Sequence, residues 1–200
     1  MRVFIRSKGR KRSATCRFLD RPDDQISALW QENLSAASAD RERDSVEFLE
    51  SAFSKWRLYE ARKRTASSER QLSELIRKDP SIDALAILTL RAPWAGLGSS
   101  LGICQFRRTW RHNVAIDYLA VHPSLLRGRT VSGVGTALLY SVAMVASRIG
   151  ADSLWLETTD LSANYYSRLL GTDETSDHVI ISVKTLYTKL LSYFDAKSFE

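Results

Sequence analysis

The 200-residue sequence predicts an α/β (α+β) fold: a mixed, mostly antiparallel central sheet with helices on both faces. Between residues 83 and 121, three short apolar runs are separated by short polar loops, which is typical of antiparallel strands. After residue 121, a long apolar helix is followed by another strand, and this order indicates a parallel crossover. The composition agrees with a globular protein, because 44% of the residues are hydrophobic and 26% are charged.

The basic residues are concentrated at the N-terminus. Residues 1–21 contain eight Lys or Arg residues and one acidic residue, so they carry +7, and the total of +6 leaves −1 for the rest. A basic segment can bind nucleic acid, but no aromatic residue lies within Lys8–Arg12, and a solvated, partly mobile arm is favoured. We expect one domain, 1–200, consisting of this arm or first strand, a helical segment (22–80) and a core (81–200).

The cysteine content and the apolar runs restrict the compartment. Cys16 and Cys104 provide neither a disulfide framework nor a metal-binding pattern, so a cytoplasmic protein without a metal is expected. No run reaches the roughly 18 apolar residues of a membrane span, and the N-terminus lacks a signal-peptide pattern. We therefore expect no membrane association, while a homodimer stays open.

The N-terminal part of the chain predicts two short strands, at 2–6 and 15–19, followed by three helices. Asp24, Asp40 and Ser68 can each cap the start of a helix, because their side-chain oxygens accept hydrogen bonds from backbone N–H groups. Aromatic residues recur at helical spacing along the second helix, and they are assigned to the core.

The C-terminal part predicts strands that alternate with helices. Loops are expected at 91–100, which is rich in glycine and serine, and from His122 to Ser132. Residues 186–194 fit a helix or a strand equally well. The predicted strands are 83–90, 101–110, 114–121, 153–158 and 178–183, and the predicted helices are 133–148 and 162–170.

The segment 121–137 has the clearest functional pattern, because a strand leads into a glycine-containing loop that opens directly into an apolar helix. Glycines such as Gly133 and Gly135 let backbone N–H groups approach a ligand closely. The first turn of a helix has unpaired N–H groups and the positive end of the helix dipole. The segment therefore predicts a phosphate or diphosphate site, to which Arg127 and Arg129 can add charged contacts.

The Gly-x-Gly pattern is not specific for a phosphate site when it stands alone. A tight turn with close helix packing produces the same pattern, so the motif by itself is weak evidence. A P-loop is excluded because no lysine lies between Lys78 and Lys184. A Rossmann fingerprint is excluded because Leu138 occupies the position of its third glycine.

Residues 84–183 resemble the GNAT superfamily of N-acetyltransferases. The resemblance rests on the strand Ile116–Val121 that leads into His122-Pro123, on Ser132–Ala137 opening a helix, and on Ser162–Tyr166 in the next helix. It implies acetyl-CoA as co-substrate, with the diphosphate on the Gly-x-Gly loop and the pantetheine arm paired with the preceding strand. The cofactor-binding residues that it implies are Leu119, Ala120, Val121, Arg127, Arg129, Ser132, Gly133, Val134, Gly135, Thr136, Ala137, Asn164 and Tyr166.

The chain departs from the family pattern at Thr130, where the family usually has Arg or Gln. We therefore expect a rebuilt loop in which Arg127 or Arg129 provides the missing donor. The departures leave two alternatives to an enzyme: a coenzyme A-binding regulatory protein without turnover, and a nucleic-acid-binding protein that uses the basic arm.

The resemblance implies that an acetyl group moves to a primary amine by direct attack in a ternary complex. Such an attack needs a base for the amine and benefits from an acid for the departing thiolate. The resemblance makes Tyr166 the acid, whereas Tyr165 is assigned to the core. Asp117 and Glu157 are the preferred candidates for the base, with the alternatives of a solvated residue or a salt-bridge partner.

Three further expectations concern the acceptor side of the site. His178 is a third candidate for the base. A backbone N–H near Val121 is expected to face the thioester carbonyl as an oxyanion donor. The acceptor, an amine of a small molecule, peptide or protein, is expected to bind against the helical segment 22–80 and the loop 91–100.

Overall fold

The computed structural model describes residues 1–97, 100–128, 130–171 and 177–196. Within these residues the chain forms one sheet of nine strands. The strands are β1 (Arg2–Ser7), β2 (Arg10–Phe18), β3 (Thr65–Ala66), β4 (Ala84–Arg91), β5 (Gly102–Arg108), β6 (Val114–Val121), β7 (Val131–Ser132), β8 (Ser153–Glu157) and β9 (His178–Ser182).

Seven α-helices lie in the described part of the chain. Asp23 caps the first helix, one residue before the predicted Asp24, and Ser68 caps the third as predicted. The helices are α1 (Asp24–Glu32), α2 (Asp40–Ala61), α3 (Glu69–Lys78), α4 (Pro123–Gly128), α5 (Val134–Arg148), α6 (Asp160–Leu170) and α7 (Val183–Ala196).

The sheet is mixed and mostly antiparallel, which confirms the predicted fold class. Its strand order is β7-β1-β2-β4-β5-β6-β8-β9, with β3 paired beside β4. The parallel pairs are β3 with β4 and β6 with β8, and α5 connects the latter pair as the predicted crossover.

Helices cover both faces of the sheet. On one face, α1 and α2 bury Trp30, Phe53 and Trp56 against β4 and β5. On the other face, α5 and α7 pack in a second apolar cluster with β1, β2 and the same central strands. The alternate residues of β4 contribute to both clusters, which explains why its sequence is an unbroken apolar run.

The basic N-terminal segment is a β-hairpin of the sheet, which corrects the expectation of a mobile arm. Val3 and Ile5 in β1 alternate with exposed residues and are buried. Lys8 and Gly9 have φ angles of 48° and 76° at the tip, as a type I′ hairpin turn requires. β1 agrees with the strand predicted at 2–6, whereas β2 begins at Arg10, five residues before the predicted start at 15.

The region 122–132 is also more ordered than the long loop that was predicted. It contains α4, whose Leu125 is buried, and β7, which pairs with β1. Residues 186–194, for which the pattern was ambiguous, lie in α7. In the described ranges, no helix is both long enough and apolar enough to cross a membrane.

Candidate active site

A gap opens in the sheet between β6 and β8, which are the sixth and seventh strands in its order. The two strands pair over only three residues, Val114–Ile116 with Leu154–Leu156. β6 continues to Val121, whereas β8 ends at Glu157. The register with β5 shifts at Asp117, which indicates a bulge where the pairing stops. Because a bulge bends a strand and increases its twist, the ends of β6 and β8 diverge.

The N-terminus of α5 lies beside this gap. A Cβ atom built on Gly135 would lie 3.6 Å from Cδ2 of Leu119 in β6. Gly102 allows the helix to come this close to the sheet, because a Cβ atom there would lie 2.8 Å from the Ala120 carbonyl oxygen and 2.9 Å from Cγ1 of Val134.

The N-cap residue of α5 is Gly133, with a φ of 83° that favours glycine. Glycine has no side chain with which to cap the first-turn N–H groups. Ser132 is exposed and Gly133 and Gly135 are half-buried, whereas Val134, Thr136 and Ala137 are buried. The backbone of this turn can therefore meet a solvent-borne anion, and its buried side chains fix the helix in place.

The Arg127 side chain is directed toward α2 and not toward the first turn of α5. Its guanidinium donates to Glu42 Oε2 at 2.8 and 3.2 Å, and also to the Asn33 carbonyl and Ser38 Oγ. The Glu42 carboxylate is 4% exposed, and the hydrogen bond from Arg127 lowers its pKa. These contacts argue against the prediction that Arg127 binds the diphosphate, and Arg129 lies outside the described residues.

The backbone of Val121 is engaged by α2. Its N–H donates to Ser45 Oγ at 3.1 Å, and the Ser45 hydroxyl donates to the Val121 carbonyl at 2.5 Å. The expected oxyanion donor near Val121 is therefore occupied at that residue. Residues two apart on a strand present their backbone groups to the same edge, so Leu119 presents its N–H toward the gap.

The two adjacent tyrosines of α6 have different surroundings. The hydroxyl of Tyr165 lies 3.0 Å from Thr136 Oγ1 and 3.8 Å from a Cβ atom built on Gly135. Tyr166 is buried in the apolar cluster at 6% exposure, and this burial raises its pKa. The structure thus brings Tyr165, which the sequence assigned to the core, to the helix N-terminus, while Asn164 is exposed on α6.

A cavity of about 570 Å³ lies on the face of the sheet that carries α2. It brings together all three candidates for the base, namely Asp117, Glu157 and His178. Lys55 of α2 lines it, as expected for the helical segment, and its described lining includes no residue of the loop 91–100.

Asp117 is held in an ion-pair cluster at this cavity. Both of its carboxylate oxygens accept from Arg107 Nε, at 3.0 and 2.9 Å, and Lys55 Nζ lies 3.0 Å from Oδ2. Burial opposes the charge of Arg107, but Asp117 raises the pKa of that guanidinium. The cluster supports the salt-bridge alternative for Asp117, and sequence reasoning missed its two cations.

Glu157 has a more open environment at the end of β8. Its side chain is 83% exposed, and its Oε1 lies 3.8 Å from His178 Nε2. The two residues are register partners in β8 and β9. Glu157 thus lies where β8 ends beside the gap, and it is not in the ion-pair cluster of Asp117 with Arg107 and Lys55.

The cavity also has an apolar floor that the sequence did not indicate. Trp155 and Ile180 are register partners, and they are 44% and 63% exposed. Trp155 also lines a neighbouring cavity of about 430 Å³ together with Trp110. Strand alternation places these large side chains beside the carboxylates.

The comparisons with known proteins agree with this architecture. No family model matches the sequence, and no curated protein sequence matches it. A crystal structure from Desulfovibrio desulfuricans, described as that of an acetyltransferase of the GNAT family, superimposes with a TM-score of 0.52 over 85% of this chain and 99% of that one. The chain has the GNAT fold. The identity is 12%, so this likeness defines the fold alone.

Two other solved structures are similar to a smaller degree. PaiA N-acetyltransferase from Thermoplasma acidophilum, in complex with coenzyme A, has a TM-score of 0.46 at 14% identity, over 86% of this chain and 98% of that chain. An aminoglycoside 6′-N-acetyltransferase complexed with coenzyme A has a TM-score of 0.37 at 12% identity, over 92% of this chain and 83% of that chain. A shared fold does not define a function, so the function of this chain has to be argued from the residues of its own site.

Proposed function

We propose that this protein is an N-acetyltransferase that moves an acetyl group from acetyl-CoA to a primary amine by direct attack in a ternary complex. One observation supports this most strongly: the gap between β6 and β8 has a glycine-capped helix N-terminus on one side and a carboxylate-lined cavity on the other. A donor and an acceptor can approach one reaction centre from these opposite sides.

The donor side fits a diphosphate. The first-turn N–H groups of α5 and the positive end of its dipole favour an anion, and Gly133 and Gly135 keep side chains out of its path. The Leu119 carbonyl can accept a hydrogen bond from an N–H of an extended amide chain, as it would from an added strand. The acetyl group would then lie in the gap between β6 and β8.

The acceptor side fits an amine nucleophile. Glu157 takes a proton from the amine, directly or through water, as the C–N bond forms. The Leu119 N–H stabilises the oxyanion of the tetrahedral intermediate. As the C–S bond breaks, the thiolate takes a proton from a tyrosine, and the position of its hydroxyl favours Tyr165 over the buried Tyr166.

The test is thiol release by the full chain, with acetyl-CoA and a panel of amines that includes bulky apolar ones, because Trp155 and Ile180 form the cavity floor. We expect release of free coenzyme A thiol that depends on both substrates and is lost in Gly135→Trp. If acetyl-CoA raises the melting temperature but no amine yields thiol, the protein is a coenzyme A binder without turnover. If acetyl-CoA does not bind, the proposal is wrong.

A further inference from the structure

The tip of the N-terminal hairpin is joined to the loop that leads into α5. Arg6 and Ser7 of β1 pair with Ser132 and Val131 of β7. The Lys8 N–H donates to the Thr130 carbonyl at 3.0 Å. Ser132 directly precedes Gly133, the N-cap of α5. These bonds therefore hold the tip of the hairpin beside the segment that leads into the first turn of α5.

The tip has an unusual density of positive charge. Residues 6–12 include five Lys or Arg residues and no acidic residue. Lys8 and Arg10 are exposed on either side of Gly9, at the turn itself. A cluster of cations beside a helix N-terminus adds to the field that already favours an anion there.

The strand register shows which way Arg10 faces. Ser7 and Arg10 are direct partners, and directly opposed residues share one face of a sheet. Ser7 lies two residues after Ile5, whose side chain is buried in the cluster that also contains residues of α5. Arg10 therefore lies on the face that carries α5, at the end of the sheet where α5 begins.

We propose that Lys8 and Arg10 bind phosphate groups of the acyl donor, so that the hairpin selects a phosphorylated donor over an unphosphorylated thioester. The inference rests on the proposed function, which places a diphosphate at the N-terminus of α5. It explains the basic N-terminal segment by donor binding, in place of the nucleic-acid-binding alternative. It also gives the turn two exposed side-chain cations, whereas the Arg127 guanidinium is paired with Glu42.

The turn permits a substitution that removes charge and keeps the fold. Lys8 has a φ of 48°, a conformation that asparagine adopts readily, and Asn-Gly is the preferred pair for this turn type. The test variant is therefore Lys8→Asn with Arg10→Gln. The matched control is Arg2→Gln with Lys11→Gln, which removes the same charge from the same hairpin but beside Phe4, on the opposite face.

Calorimetric titration with adenosine 3′,5′-bisphosphate tests the phosphate site without a thioester. The test variant should bind this probe about tenfold to a hundredfold more weakly than the wild type, since it lacks two charge-assisted contacts, and with a weaker dependence on salt. The control variant should stay close to the wild type. Turnover of acetyl-pantetheine, which has no phosphate, should be equal in all three proteins.

The outcomes separate this inference from the proposed function. Equal affinity of the wild type and the test variant for the bisphosphate would overturn the inference, and so would an equal loss in the control variant. Absence of any binding by the wild type would overturn it as well. Binding that depends on Lys8 and Arg10, with no thiol release from any amine, would support the phosphate site and contradict the acetyltransferase proposal.

Discussion

The two sides of the gap between β6 and β8 are built from different parts of the chain. On the donor side, the backbone of Gly133–Thr136 forms the candidate site, and the side chains of this turn are absent or buried. On the acceptor side, the candidate groups are side chains from α2, β5, β6, β8 and β9. The donor site depends on glycines within one short segment of the sequence. The acceptor site depends on which strands and helices the fold brings together.

The largest effect is expected from filling the backbone site. Gly135→Trp should reduce acetyl-CoA affinity by at least about a hundredfold, because the indole would occupy the space before the first turn of α5. Calorimetric titration measures the loss. Gly135→Ala is the matched control, since its Cβ atom makes only ordinary contacts at 3.6 and 3.8 Å, and it should retain most of the affinity. Equal binding by the tryptophan variant would show that the turn faces no ligand.

The next effect separates the two tyrosines. Tyr165→Phe should lower kcat about a hundredfold with little change in the KM for acetyl-CoA, as loss of a general acid does. Steady-state kinetics with the best amine measures it. Tyr166→Phe is the control, and it should retain its kcat because its hydroxyl is buried in the apolar cluster. The reverse result would restore Tyr166 as the acid that the resemblance implied.

A smaller effect distinguishes the two carboxylates of the acceptor side. Glu157→Gln should lower kcat by about tenfold to a hundredfold, because the amide cannot take a proton from the amine, and it should leave the melting temperature unchanged. Asp117→Asn should instead destabilise the fold by about 1–3 kcal/mol, because it leaves Arg107 and Lys55 without their shared partner. If Asp117→Asn lowered kcat at an unchanged melting temperature and Glu157→Gln did not lower it, the roles would be exchanged.

The smallest effect concerns the contact between α4 and α2. Arg127 lowers the pKa of Glu42 from its ordinary value of 4.5 in the folded state. The pair therefore stabilises the fold above that pH, and this stability is lost as the pH falls through the folded-state pKa. Urea unfolding between pH 7 and pH 3 should show a flatter pH dependence for Glu42→Gln than for the wild type. Parallel curves would contradict this role of Arg127.

The contrast between the backbone site and the side-chain site also explains what the sequence could predict. The glycine-marked start of α5 and the strand before it are contiguous in sequence, and their local pattern predicted the position of β6 and α5 closely. The fold class followed from alternating strands and helices. The ion pairs of Asp117 could not be predicted, because Lys55 and Arg107 come from elements far apart in the chain.

Three other misses have local physical causes. The bulge at Asp117 changes the direction of side chains along β6, and no glycine marks it. Tyr165 and Tyr166 are neighbours about 100° apart on a helix, so a small change in the start of α6 decides which one reaches Thr136. The strand predicted at 15–19 begins earlier, at Arg10, because the first four residues of β2 are all exposed and show no alternation of buried and exposed positions.

Amide hydrogen exchange on the full chain, with and without acetyl-CoA, tests the central claim most directly. We predict that acetyl-CoA slows exchange at the amides of Gly133–Thr136 and at Leu119, and that Gly135→Trp abolishes this protection. Binding of acetyl-CoA that protected other segments and left these amides unchanged would contradict the proposed donor site.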